Sequence, residues 1–224
     1  MIIKMLTLGE LRTNCYLVGS ETTRDGIVID PASDPQAILD EVRRLGLRIN
    51  LIVNTHGHVD HFMALEIVRQ ATGARFALHA DDVRLLPRAA KAAMEWFGRP
   101  ADAPEPDVLL EDGDTVEAGD VRLAVIHTPG HSRGGICLYT EGTLFSGDTL
   151  FQRSIGRHDF YGGNQEQLLH SIATRLLTLP GDTVVLPGHG PGTTIGFERQ
   201  NNPFLAAYRA ASLGEPTSGP KGIR

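Results

Sequence analysis

Within the eight residues Asn54-Thr55-His56-Gly57-His58-Val59-Asp60-His61, three histidines and one aspartate crowd together. Neither a packed core nor a solvated surface calls for such a density of ligand-capable side chains. A neutral imidazole and an ionised carboxylate offer a divalent cation both softer nitrogen and harder oxygen donors. His56, His58 and Asp60 share a direction if the turn is locally extended, whereas His61 projects differently. Four close ligands facing two ways fit two metal ions better than one, because a single tetrahedral zinc would leave a strong ligand idle.

Three further positions are able to complete the site, each just after a strand and next to glycine. In Val125-Ile126-His127-Thr128-Pro129-Gly130-His131 the Pro-Gly turn exposes His131, while His127 reads as a packed or hydrogen-bonded residue. Asp148 follows the run Leu144-Phe145-Ser146-Gly147, and its two carboxylate oxygens can bridge two metals. His189 lies between Gly188 and Gly190, which let the backbone come close. Any one of these seven residues alone is acceptable as an ordinary turn or core residue. The set is not.

The elements that must hold these residues follow from periodicity. Ile2 to Leu8 and Asn14 to Gly19 read as an opening hairpin, followed by a strand from Gly26 to Asp30. Asp30 at that strand end either faces the site or serves a turn or cap. Pro35 to Leu45 carries helical spacing and stops at Gly46. Ile49 to Val53 is an apolar run rich in β-branched residues, the mark of a strand buried on both faces, and it delivers the motif to a strand-to-helix turn, where open α/β sheets hold ligands. Arg75 to His79 is the next strand and Asp81 to Phe97 a helix, with Asp81 or Asp82 as its N-cap. His79 reads as structural, nothing else of metal character standing beside it in sequence. Trp96 and Phe97 border a Pro-rich loop from Gly98 to Asp107, where they either pack beneath it or wall a pocket. The runs from Val108 to Phe145, separated by Gly-Asp and Glu-Gly turns, predict a second, antiparallel sheet. A helix from Asn164 to Leu179, a strand from Thr183 to Leu186 and a helix from Phe197 to Leu213 interrupted at Pro203 complete an α/β domain spanning 1–213, with 214–224 a frayed tail.

Taken in order, the motif and its downstream Thr-Pro-Gly-His, Gly-Asp-Thr-Leu-Phe and Pro-Gly-His-Gly segments resemble the metallo-β-lactamase superfamily of hydrolases over nearly the whole chain. The resemblance implies an αββα sandwich, two mixed sheets covered by helices, with the site at one edge. It implies a first metal on His56, His58, His131 and Asp148, and a second on Asp60, His61, His189 and the shared Asp148. Zinc is the expected ion, with iron or manganese as alternatives. Such a pair lowers the pKa of a shared water to near neutrality, and the resulting hydroxide would attack a carbonyl while Asp60 orients it. No serine or cysteine nucleophile motif is present.

Gly147-Asp148-Thr149-Leu150-Phe151 and Ser154-Ile155-Gly156-Arg157-His158-Asp159-Phe160 look most like the glyoxalase II group, especially its short bacterial members. The similarity implies hydrolysis of S-D-lactoylglutathione or a related thioester, whose thiol, with a pKa of about 8.5, leaves without a strong general acid. His158 is a conceivable proton donor or a residue outside the site. Two departures stand out. Only the residues from Gly190 to Arg224 follow His189, too few for the basic helical extension that grips glutathione in full-length enzymes, and Gly188-His189-Gly190-Pro191 replaces their Gly-His-Glu-Tyr. Arg153 and Arg157 are the candidates for replacing that grip. A persulfide dioxygenase with a single iron shares the Gly156-Arg157-x-Asp159-Phe160 segment and is the main alternative. Lactonase or other small-ester chemistry, and a non-catalytic metal-binding module, are further readings. A β-lactamase proper is disfavoured by the absence of a cysteine ligand where Ser146 and Asp148 stand, and nucleic-acid-processing relatives by the short span between Asp148 and His189.

Composition agrees with a small-molecule enzyme. A formal charge of -6, without a basic stretch, lacks the footprint that nucleic acid or anionic membrane favours. Cys15 and Cys137 are both in apolar strands and read as buried thiols. The first residues have neither a long apolar core nor a cleavage site, and no run of about 18 apolar residues occurs, so a soluble cytoplasmic protein is expected.

Overall fold

The opening runs form a hairpin of β1 (Ile2–Leu8) and β2 (Thr13–Gly19), with Ile2 opposite Gly19 and Leu8 opposite Thr13. This computed structural model describes residues 1–207, so the helix expected to reach Leu213 and the tail 214–224 extend outside the described residues. β3 (Asp25–Ile29) is antiparallel to β2 and parallel to β4 (Arg48–Val53), and β5 (Arg75–His79) and β6 (Val108–Leu110) continue in parallel. The second sheet orders β14 (Thr193–Thr194), β13 (Val184–Pro187), β10 (Thr143–Gly147), β9 (Ile136–Thr140), β8 (Val121–His127) and β7 (Thr115–Ala118).

Period-2 alternation sorts the strand residues into three apolar layers. Leu17, Val28 and Ile52 face outward and bury Ile38 and Val42 of α1 (Pro35–Leu45), Leu65 and Val68 of α2 (Leu65–Thr72), and Leu86 and Ala93 of α3 (Leu86–Phe97). Their neighbours Tyr16, Ile27, Ile29, Leu51 and Val53 face inward onto Leu123, Val125, Leu138 and Phe145 of the other sheet. Cys137, Leu144 and Val185 face out again, onto Leu168 of α4 (Gln165–Ser171) and Ile195 of α5 (Ile195–Asn201). The result is the expected αββα sandwich. Tyr16 ties the layers near the site: its ring lies edge-on to Phe145 at 5.1 Å, and its hydroxyl donates to Pro187 O at 2.7 Å. A buried hydrogen bond of this kind is worth about 1 kcal/mol.

The structure corrects three expectations. Val108–Leu110, read with the second sheet, instead pairs parallel with β5 in the first. In the second sheet β7 to β10 are antiparallel as expected, and α4 forms a crossover that returns the chain to β13 parallel with β10, so that sheet is mixed as the resemblance implies. The helix expected from Asp81 begins at Leu86, with Pro87 in its first turn; Pro87 has no N–H to bond back to Val83, and Asp82 is used elsewhere, so the helix does not extend earlier. Ahead of it, Ala80–Asp82 forms a tight single turn. A small hairpin of β11 (Leu150–Phe151) and β12 (Ser154–Ile155), too short for a periodic signal, follows Asp148. Among the described residues no helix is long and apolar enough to cross a membrane.

Candidate metal centre

All seven ligand-type residues converge at one edge of the sandwich, beyond the carboxyl ends of β4, β8, β10 and β13. Three grouped sets of donors lie there: His56, His58 and His131; His56, His61 and Asp148; and Asp60, His61 and His189. His131 Nε2 stands 2.9 Å from His58 Nδ1 and 3.1 Å from His56 Nε2. On the other side, His61 Nε2 lies 3.6 Å from Asp60 Oδ2, and His189 Nε2 lies 3.3 Å from that same oxygen. Asp148 sits between the sets, at 3.5 Å from His61, 3.6 Å from His131 and 3.6 Å from His189.

The outer nitrogens settle which atoms face inward. His131 Nδ1 donates to Arg157 O at 2.6 Å, His189 Nδ1 to Leu11 O at 3.0 Å, and His61 Nδ1 to Asp30 Oδ2 at 2.9 Å. Thr55 Oγ1 gives its proton to Asp30 and so accepts from His56 Nδ1 at 3.1 Å. Four histidines therefore present Nε2 inward, a tautomer fixed by the partner of the other nitrogen.

Such a donor set fits cations. One proton on His58 Nδ1 can bridge its contact with His131, but the His56–His131 contact then sets lone pair against lone pair. His61 Nε2 and Asp148 Oδ1 are fully buried with no hydrogen-bond partner, a costly condition that a metal ion relieves. Gly188 makes the approach possible, since a Cβ there would lie 2.3 Å from Asp148 Oδ1 and 2.8 Å from His61 Cε1.

Charge is distributed accordingly. Burial and the neighbouring histidines push the pKa of His56 far down and that of His58 to about 3, so both stay neutral. Burial also disfavours charge on His61, but Asp60, Asp148 and Asp30 outweigh it and raise its pKa well above 6.5; at His189 burial is likewise outweighed, chiefly by Asp60. Asp60 and Asp148 are held below the usual carboxylate range: burial opposes this, and the histidines, His61 foremost, overcome it. In the metal-free protein, protons on His61 and His189 thus supply positive charge. Metal uptake must release them, so apparent affinity should fall as pH is lowered across neutrality. Chelator-competition titrations across that range test this; a pH-independent affinity would contradict it.

Two aspartates support the loops. Asp30 resolves in favour of the site: buried at the end of β3, it accepts from Thr55 N and Thr55 Oγ1, both at 2.7 Å, as well as from His61. Asp82, expected at a helix cap, is buried and accepts from Gly57 N at 2.9 Å, Ser132 Oγ at 2.7 Å and Gly134 N at 2.6 Å. It thereby joins the two loops that carry His56, His58 and His131. Its position just after a strand was the available signal, but pairing partners so distant in sequence are invisible before folding.

A cavity of about 400 Å³ opens onto the metal-side donors. Its walls are mainly apolar, from Leu11, Trp96, Phe151, Ile155 and Phe160. Trp96 is therefore a pocket wall rather than packing beneath a loop; it is half exposed, 5.8 Å from Phe160, which itself lies 5.4 Å from His58. Arg157 lines the cavity, paired with Asp159 at 2.9 Å and stacked over Phe160 at 4.0 Å. Arg153, in the β11–β12 turn at φ 56°, is exposed, and the cavity lining does not include it. His158 Nδ1 is buried outside that lining. A larger groove of about 560 Å³, around Met1, Asp120 and Tyr139, contains no histidine. Cys15 and Cys137 are both buried in separate layers, and burial raises both thiols, Cys137 to about 11. His79 does have a metal-type neighbour: its ring stacks on His127 at 4.0 Å beside Asp81, sheet packing having joined what sequence separates. His127 also donates from Nε2 to Arg133 O at 2.9 Å, as a hydrogen-bonded residue.

Comparison with known proteins agrees with this architecture. The chain is 32% identical to hydroxyacylglutathione hydrolase GloC of Haemophilus influenzae, across 92% of this chain and 98% of the relative. Among solved structures, BLEG-1 B3 metallo-beta-lactamase superposes with a TM-score of 0.85 at 38% identity, covering 92% and 100% of the two chains. TTHA1623 in a di-iron-bound form gives 0.82 at 39% identity, covering 90% and 100%, and ETHE1 from Myxococcus xanthus 0.79 at 31%, covering 96% and 92%. Residues 8–189, which span every one of the seven converging donors, match the family model directly, and the chain belongs to the metallo-beta-lactamase superfamily.

Proposed function

We propose that the protein is a two-metal hydrolase of small thioesters such as S-D-lactoylglutathione. In this reading His56, His58, His131 and Asp148 hold one divalent ion, and Asp60, His61, His189 and Asp148 the other. Zinc suits the nitrogen and oxygen donors, as do iron and manganese. The observation that carries the reading is the pair of donor sets flanking one carboxylate, that of Asp148. When bound, the pair supplies a water deprotonated near neutral pH and a Lewis acid for the carbonyl oxygen.

The chain's own residues do the rest. Asp60, anionic and within 3.4 Å of Thr13 Oγ1, accepts a proton from the attacking water and fixes its orientation. Trp96, Phe151 and Phe160 keep bulk water from the acyl group and seat the sulfur. A departing thiolate needs no strong acid, which matches a cavity whose lining does not include His158. Arg157, which lines the cavity, is the arginine assigned to substrate contact in this reading. The likeness to GloC supports a glutathione thioester, and the charge of -6 without a basic stretch supports a small-molecule substrate; a cytoplasmic location belongs to the same proposal.

Two other readings have specific support: a single-iron persulfide dioxygenase, through the Gly156-Arg157-x-Asp159-Phe160 segment, and β-lactam hydrolysis, through the likeness to BLEG-1. One metal-loaded sample assayed for S-D-lactoylglutathione hydrolysis, for oxygen uptake with glutathione persulfide and for β-lactam opening separates them. Thioester turnover without oxygen uptake is the expected result; oxygen uptake without thioester turnover would refute the proposal.

A further inference from the structure

Beside the cavity, the next residue along from Phe160 gathers positive charge. The Tyr161 ring is half exposed, and two guanidinium groups from different elements converge on it: Arg88 of α3 at 4.1 Å and Arg133 of the β8–β9 connection at 5.6 Å from the ring centroid. Arg84 lines the small hollow that Arg133 and Tyr161 share. All three arginines are exposed, and among the described residues none makes an ion pair. Asp81 lines the same hollow but comes within ion-pair distance of none of them, while Asp82 is committed to Gly57, Ser132 and Gly134.

Other exposed arginines without an ion pair, such as Arg12, Arg24, Arg75 and Arg153, share no aromatic ring with a second cation, whereas Arg88 and Arg133 converge on one. Arg43, Arg44, Arg48, Arg69, Arg99, Arg122, Arg157 and Arg175 each meet a carboxylate, in a chain whose formal charge is -6. Cations drawn to one aromatic ring repel each other, and contact through the ring leaves N–H edges free to donate. An anion between them removes the repulsion and takes those donors. Guanidinium forks suit the planar or tetrahedral oxygens of carboxylate and phosphate.

Location gives the anion its identity. Arg88 and Trp96 are eight residues apart on α3, about 12 Å along its axis, with Tyr161 and Phe160 as their respective ring partners. The three arginines lie outside the cavity lining but beside its Phe160 end, within reach of the tail of a substrate whose sulfur sits there. We infer that Arg84, Arg88 and Arg133, gathered around Tyr161, form an anion-recognition site for the carboxylate or phosphate tail of the substrate's thiol half. The inference rests on the thioester reading, and it places the grip on the α3 side of the cavity.

Trp96 is the chain's single tryptophan and stands on the path, so its fluorescence reports binding without turnover. The test uses metal-loaded wild type and the double variant Arg88→Gln/Arg133→Gln. Binding of S-methylglutathione and of S-methyl coenzyme A is titrated by fluorescence at low and high salt. In parallel, kcat/KM is measured for a glutathione thioester, a coenzyme A thioester and the uncharged S-acyl-N-acetylcysteamine. At least one thioether should bind tenfold or more weakly in the variant and weaken with salt in the wild type. The kcat/KM ratio of its thioester to the uncharged one should fall at least tenfold. Loss confined to the glutathione compounds assigns a carboxylate tail, and loss confined to the coenzyme A compounds a phosphate tail. Equal affinities and equal ratios in the two proteins would overturn the anion site while leaving thioester hydrolysis standing. No thioester turnover by wild type, with thioether binding still sensitive to the arginines, would overturn the hydrolase reading and keep the site.

Discussion

Asp148→Ala is expected to abolish hydrolysis, by at least about 10³-fold, a loss at the upper end of what removal of a single oriented donor costs. The reason is position. Asp148 Oδ1 faces His61 and Oδ2 faces both His131 and His189, so its removal opens both donor sets at once. His58→Ala opens only one set, and it should lose less metal than Asp148→Ala while also losing activity. Asp148→Asn controls for the shape of the buried site, since it keeps volume and removes charge. Metal analysis of the three variants beside circular dichroism measures this. Two metals retained in folded Asp148→Ala would refute the bridging role.

Asp30→Asn should have the next largest effect, although Asp30 is not one of the converging donors. Its carboxylate accepts three hydrogen bonds, with Oδ1 facing Thr55 N and Oδ2 facing both Thr55 Oγ1 and His61 Nδ1. Asparagine must turn an NH₂ toward one of these donors, whichever way it is flipped. If that NH₂ faces His61, the imidazole takes its proton on Nε2 and blocks the inward lone pair. Metal affinity at the His61 side should fall about 10- to 100-fold. Folding stability should fall by about 1–3 kcal/mol, the cost of an unsatisfied buried group. Asn tolerates the positive φ of 51° found at Asp30, so backbone strain does not confound the result. Metal titration and thermal melting give both numbers; wild-type affinity for both equivalents would contradict the argument.

The converging donor residues were legible because each follows a strand signal and sits in a glycine-rich turn, as with Gly147-Asp148 and Gly188-His189. Helices and strands were legible where apolar periodicity was long, as in α1 and β4. The parallel pairing of β10 with β13 was not, because it depends on where α4 packs rather than on either strand's own pattern. Asp82 was half legible: an acid after a strand suggests a cap, and only folding brings Gly57, Ser132 and Gly134 to its oxygens. The stacking of His79 on His127 joins the ends of strands in different sheets, a contact that local pattern does not encode. Tyr161 and its arginines are scattered across more than 70 positions, and each alone reads as ordinary surface.

The central claim is that two cations share Asp148. The measurement that bears on it most directly is crystallographic: diffraction from metal-loaded protein on either side of the absorption edge of the metal it is loaded with. Two anomalous peaks are predicted per chain, one among His56, His58 and His131 and one among Asp60, His61 and His189, with Asp148 touching both. A single peak at full loading, with the other donor set free of metal, would contradict the account.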